Sequence, residues 1–285
     1  MNLLAIVLAL IAERLSSPHR HAEVARTQVW QTLRNTLPGL WTSAAAIVAL
    51  ILLPVVLVEA LHRAITPMPL RLLFDAALLF VCLGPRDLSD DIKLLRAARA
   101  QADSAAVTRI SAQLQMGPEP DTDHRSLIGA LFIQSHERLF GMLWWFLLGG
   151  PAGAVLYRIA SRLPCLIADT ASPAARLARQ IHAVLAWLPA RLTAALFALA
   201  GSMDDAARAW RRLRLDPHAD WQRRTWTVLA EVAAAALDWE DSSGGGAAEN
   251  LSLDAVLHEV QRMQARTLLI LLAVAALLSA GTFIA

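Results

Sequence analysis

Residues 139–163, LFGMLWWFLLGGPAGAVLYRIASRL, decide the fold. From Leu139 to Tyr157 this stretch carries no charge, yet Gly149-Gly150-Pro151 interrupts it in the middle. About 20 apolar residues cross the hydrocarbon core as one helix. Proline cannot donate the backbone hydrogen bond that continues a helix, and glycine leaves the helical conformation readily. Lipid offers nothing to the peptide groups so freed, so a break at membrane depth needs protein or a polar cavity beside it. The stretch predicts a membrane segment built around a broken helix, and the break is a candidate ligand site.

The rest of the chain agrees with a membrane setting. Hydrophobic residues make up 56% and charged residues 18% of its 285 positions, well beyond a water-soluble average. Residues 35–58 and 267–285 are further uncharged runs of spanning length. Three shorter runs join them: 1–15, 68–84 with Asp75 inside it, and 182–201 with Arg191 inside it. Residues 1–12 lack the basic start and small-residue cleavage site of a secretory signal, so they are expected to stay as a helix. The expected fold is all-α: a polytopic membrane helix bundle with amphipathic cytoplasmic helices.

Between the apolar runs the pattern changes. Ile92, Leu95 and Ala98, then Val107, Ile110 and Leu114, recur at helical spacing within 85–138, giving two amphipathic helices capped near Ser89 or Asp90 and near Asp103 or Ser104. Residues 203–240 form another amphipathic stretch, in which Trp210, Trp221, Trp226 and Trp239 suit a membrane boundary. DSSGGGAAEN at 241–250 is a linker by composition. The expected divisions are N-terminal transmembrane helices (1–84), cytoplasmic helices (85–138), a broken-helix core (139–201), surface helices with a linker (202–266) and a last transmembrane helix (267–285). The basic stretch 19–34 places the N-terminus outside and 85–138 in the cytoplasm. Six crossings then leave the basic loop 158–180 on the wrong side, a conflict that a re-entrant fourth or fifth segment would remove.

Chemistry gathers at few positions. Pro151 would begin a half-helix whose free N–H groups and positive dipole end suit an anion. The alternative is that Gly149, Gly153 and Ala154 let neighbouring helices approach closely. Arg158 and Arg162 lie one turn apart on that half-helix, and Arg191 sits at depth, where an arginine pairs, lines a polar cavity or reaches for the headgroups. Glu13, Asp75 and Glu137 are the acids placed to neutralise such arginines. His136 and His182 read as solvated or capping residues at helix ends. No metal-ligand spacing, GxSxG elbow or GK[ST] phosphate loop occurs, and Cys82 and Cys165 have no CxxC or Cys/His context. The residues themselves mark no catalytic group, metal or cofactor. With a nearly balanced charge and no basic stripe, nucleic acid is excluded as a partner and the lipid bilayer is expected.

LLGGPAGAVLYR, the basic loop after it, AVLAWLPARLTAALFALAG and an N-terminal apolar run ending in Glu-Arg-Leu together resemble the AmpE family of inner-membrane proteins linked to β-lactamase induction. The resemblance covers nearly the whole chain and is most specific over 138–201. That core is also similar to CobD/CbiB-type adenosylcobinamide-phosphate synthases, which join an amino-alcohol to a corrinoid carboxylate. The synthase pattern departs where its polar residues should lie: Ile133 and Gln134 replace a Glu-Asn pair, Glu137 an Asp, Ser161 and Pro164 an Asn and an Asp, and His182 and Ala183 paired Asp. Tyr157, Arg158, Trp187, Pro189 and Arg191 remain.

The resemblance implies a multi-pass bacterial inner-membrane protein in the signalling response to cell-wall antibiotics. On the residues, Gly149, Gly150, Gly153, Tyr157, Arg158, Arg162 and Arg191 would form a pocket for an anionic or peptidoglycan-derived ligand. An ATP-dependent amide ligase and a scaffold for a membrane-protein partner are the alternatives.

Overall fold

The computed structural model describes residues 2–15, 43–83, 88–115, 127–167, 169, 171–214, 221–237 and 248–284. The basic stretch 19–34, the loop 116–126 and residues 241–247 of the linker lie outside the described residues. The described elements are helical: α1 (Asn2–Leu15), α2 (Ala44–Ala64), α3 (Met68–Leu83), α4 (Leu88–Ala100), α5 (Ser104–Gln115), α6 (Leu127–Ser135), a π-helical turn (His136–Phe140), α7 (Gly141–Leu166), α8 (Pro173–Ala200), α9 (Met203–Arg214), α10 (Trp221–Ala236) and α11 (Ala248–Ile284). Among the described residues four stretches are long and apolar enough to cross a membrane: Ala44–Ala64, Leu127–Leu166, Pro173–Ala200 and Leu253–Leu277. At 14 and 16 residues, α1 and α3 are shorter than the six-crossing expectation requires, since they rise only about 21 and 24 Å against a core of roughly 30 Å.

The quoted stretch breaks where the sequence says it should, but more sharply. Gly150 takes φ 60°, ψ −153°, a region open in practice to glycine alone. Beyond it the chain folds back. A Cβ at Gly153 would lie 2.2 Å from the Trp145 carbonyl oxygen, and one at Gly141 would lie 2.6 Å from the Tyr157 ring. In a continuous helix, residues eight apart are separated by about 12 Å. Both pairs centre on Gly149, so the two limbs form an antiparallel hairpin with Gly149-Gly150 at its closed end. Length gives the same answer, because the 40 residues Leu127–Leu166 would measure about 60 Å as a single rod, twice the hydrocarbon core. The run 139–157 is therefore not a single straight crossing.

Around this hairpin α2 and α3 pack on α7, α1 on α3, α8 along α7, and α10 against α8, α6 and α9. Leu53, Val56 and Leu57 of α2 point outward. An exposed apolar face of that kind fits lipid, which demands only that backbone polar groups be satisfied within the helix.

The amphipathic pair α4 and α5 obeys its pattern: Ile92, Leu95, Ala98 and Leu114 are buried, and Asp103 Oδ1 accepts from Ala106 N–H at 3.0 Å to cap α5. Residues 203–240 split in behaviour. α9 exposes Arg208, Arg211 and Arg212, as a surface helix should. α10 instead buries Trp226, Leu229, Val232, Ala233 and Ala236, so Trp226 lies in the core and not at a boundary. Its alanine-rich face lets α8 come close.

Proline has a second consequence, in α8. The Leu185 carbonyl would accept from residue 189 in an unbroken helix, but Pro189 has no N–H. Trp145 Nε1 of the hairpin donates to that carbonyl at 3.0 Å. Trp145→Phe should cost about 1–3 kcal/mol by stranding it. In Trp145→Phe/Pro189→Ala the backbone supplies its own donor, so most of the loss should return; equal melting of single and double variants would contradict the pairing.

Candidate functional site

The polar centre of the fold lies where the π-helical turn meets α7, α8 and α10. In that turn Gly141 N–H bonds to the His136 carbonyl five residues back, widening the coil beneath two adjacent polar side chains, His136 and Glu137. Glu137 is the hub. Tyr157 O–H donates to its Oε1 at 2.6 Å, and His182 Nε2 stands 3.2 Å from both carboxylate oxygens. His136 Nε2 lies 3.2 Å from the Tyr157 hydroxyl, and His136 Nδ1 lies 3.1 Å from Thr193 Oγ1. His136, Tyr157, His182 and Thr193 are each 0% exposed.

These distances fix the proton inventory. A carboxylate only accepts, so Tyr157 spends its proton on Glu137 and its oxygen takes a bond from His136 Nε2–H. His136 Nδ1 is then bare and accepts from Thr193. The tautomer follows from the network. Every donor in the series Thr193, His136, Tyr157 points one way, towards Glu137, and His182 approaches the same carboxylate from α8. The Trp226 ring covers both imidazoles, with centroids 6.0 Å from His136 and 5.6 Å from His182. Gly141 makes room for the Tyr157 ring, which any side chain there would displace.

On the outer side of the turn Arg138 Nη1 donates to Asp91 of α4 at 2.6 Å, while its Nε donates to Gln134 at 3.2 Å. Helix α4 is thus clamped to the residue next to Glu137. Arg96 and Arg99 of α4 approach Asp254 of α11 at 3.8 and 3.9 Å, a second clamp on the same helix.

Of the residues the sequence singled out, Glu137 and Tyr157 meet here. The remainder are dispersed. Gly149 and Gly150 sit at the closed end of the hairpin with open space around them, while Gly153 is pressed against the backbone of the opposing limb. Close packing thus accounts for Gly153. Along the second limb Arg158 lies about 12 Å and Arg162 about 18 Å from Gly150, so those two arginines and the break do not converge on one small anion. Arg191 turns to its own helix: Nη1 donates to the Trp187 carbonyl at 3.0 Å and the guanidinium stacks 4.1 Å over the Trp187 ring. Asp75 is buried against His62 of α2 at 3.2 Å, a histidine where an arginine was expected. Glu13 is half-buried on α1.

Sequence reasoning missed both histidines. His182 does not open its helix; α8 begins nine residues earlier at Pro173, where Ser172 Oγ caps Ala175 N–H at 3.1 Å. A polar triplet, His136-Glu137-Arg138, directly preceding an uncharged run was the signal available. Among the described residues no group of three His, Cys, Asp or Glu is arranged to hold a metal ion.

Comparison with known proteins places the chain in a family. The model of a family described as regulatory signalling modulator protein AmpE matches residues 1–283. The chain is also similar to curated proteins named cobalamin biosynthesis protein CobD. That of Chromobacterium violaceum is 29% identical over 71% of this chain and 65% of its own length. That of Brucella suis is 24% identical over 72% and 66%, and that of Stutzerimonas stutzeri 27% over 49% and 48%. The chain thus spans less than two thirds of the length of each of these relatives. No solved structure matches it. With its long apolar helices and a family match from end to end, the chain belongs to the AmpE family of regulatory signalling modulators and is a multi-pass protein of the inner membrane.

Proposed function

We propose that this protein regulates β-lactamase induction and the wider response to cell-wall antibiotics without catalysing a reaction, and that the Glu137 network is its switch element. The observation that carries this reading is the occupancy of Glu137: both carboxylate oxygens already face donors from two other helices. A general base or metal-binding carboxylate needs an accessible lone pair. A carboxylate engaged by α7 and α8, and neighbouring the Arg138 clamp to α4, is placed to report a rearrangement of the core to the cytoplasmic helices. The signal on this reading is an anionic, peptidoglycan-derived ligand or a membrane-protein partner that shifts the bundle.

The test is induction itself. In a host lacking its own copy, wild type should restore β-lactam-dependent β-lactamase synthesis, while Glu137→Gln and Asp91→Asn, present in the membrane at wild-type level, should leave it several-fold altered. Indistinguishable induction with and without the protein would overturn the reading.

A second reading is kept by one observation: positions 137, 157 and 182, which the synthase resemblance marks, do come together in this cluster. It makes the protein an amide ligase. Sustained product from corrinoid acid, amino-alcohol phosphate and Mg-ATP would establish it and displace the regulatory proposal.

A further inference from the structure

Between α9 and α10 lies a groove of about 460 Å³, lined by Asp205, Arg208, Ala209 and Arg212 on one side and Ala234, Ala235 and Leu237 on the other. Its size falls within the range of ligand sites. One wall carries two guanidinium groups a helical turn apart, and the other offers the half-buried Ala234 and Ala235 side chains with the mostly buried Leu237 beneath them. Asp205 offsets one of these charges: Ser202 Oγ donates to it at 2.5 Å, Arg208 pairs with it, and the serine bond holds its carboxyl below the usual range. Arg212 leaves the wall with a net positive charge.

Carbonyls at the C-terminal end of α10 would repel an anion, but two of them are engaged. The Ala236 carbonyl accepts from Ser202 N–H at 2.8 Å and the Ala234 carbonyl from Leu237 N–H at 3.3 Å. The first of these bonds also fixes the groove's height. Ser202 follows α8 across its Gly201 cap, and α8 is long enough to cross the membrane, so the groove opens at the end of a membrane-crossing segment. Leu199 and Met203, 55% and 61% exposed, flank that junction with apolar surface.

We infer that the α9–α10 groove binds an anionic phospholipid, with its phosphate on Arg208 and Arg212 and the start of its acyl chains against Ala234, Ala235 and Leu237. Charge and apolarity on facing walls, at the level where headgroups meet tails, match an amphiphile better than a free ion.

The full chain in mild detergent, titrated with short-chain phosphatidylglycerol, phosphatidylcholine or inorganic phosphate and followed by native mass spectrometry and thermal melting, tests this. Phosphatidylglycerol should bind and raise the melting temperature, phosphatidylcholine should bind far more weakly, and phosphate alone should have no effect at matched concentration. Arg208→Gln/Arg212→Gln should weaken phosphatidylglycerol binding about tenfold or more. Ala235→Phe fills the opposite wall without touching a charge, and should also lose the lipid, which keeps the test valid if the double variant misfolds. Equal binding of the two lipids, a phosphate response matching that of phosphatidylglycerol, or wild-type binding by either folded variant would overturn the assignment.

Discussion

Gly153→Ala should prevent the hairpin from closing, while Gly149→Ala, four residues away, should be nearly silent. The two glycines look alike in the sequence, but an added methyl meets nothing within 4 Å at Gly149 and the Trp145 carbonyl oxygen at 2.2 Å at Gly153. No real Cβ survives that approach, and the obstacle is backbone, which cannot rotate away. Overpacking a rigid core costs about 1–3 kcal/mol, and a backbone collision belongs at or above the top of that range. The limbs would have to separate by more than an ångström, dragging Tyr157 from Glu137. Thermal melting in detergent and tryptophan emission, which Trp144 and Trp145 dominate near the contact, should both report the change. If Gly153→Ala melts like wild type, the two limbs do not pack as described.

Glu137→Ala should have the second large effect, about 3 kcal/mol or more of destabilisation. It removes the acceptor for two buried donors at once, and each stranded polar group costs roughly 1–3 kcal/mol. Tyr157→Phe removes one donor and leaves His182 in place, so it should cost less, about 1–3 kcal/mol. The two losses should not add: a double variant should melt close to Glu137→Ala, since Tyr157 has already lost its main partner. Additive losses in a double-mutant cycle would show that the two side chains act separately.

How much of this was legible beforehand depended on range. The break at Gly150 was readable because Gly-Gly-Pro acts on the backbone locally. The reversal was not, because a break carries no angle; it is set by Gly141 and Gly153, whose absent side chains admit Tyr157 and Trp145. Ile92, Leu95 and Leu114 gave away the amphipathic helices α4 and α5 through spacing alone. The Glu137 network stayed hidden for the opposite reason. Its members come from three helices, with His182 45 residues from Glu137, and no local spacing links them; only the synthase resemblance marks both positions. Asp75 illustrates the same point: it stands out as polar in apolar surroundings, but only packing shows that His62 is its partner. Trp226 misled because a tryptophan beside arginines fits a headgroup belt as well as a core, and only the alanine-rich remainder of its helix favours burial.

The order in which the ribosome makes the hairpin has its own consequence. Glu137 is synthesised 20 residues before Tyr157 and 45 before His182. A nascent first limb released alone into the bilayer would carry a carboxylate with neither of its neutralising donors yet made. Entering lipid together with its successor, as a loop, spares the first limb the cost of burying that carboxylate without its partners.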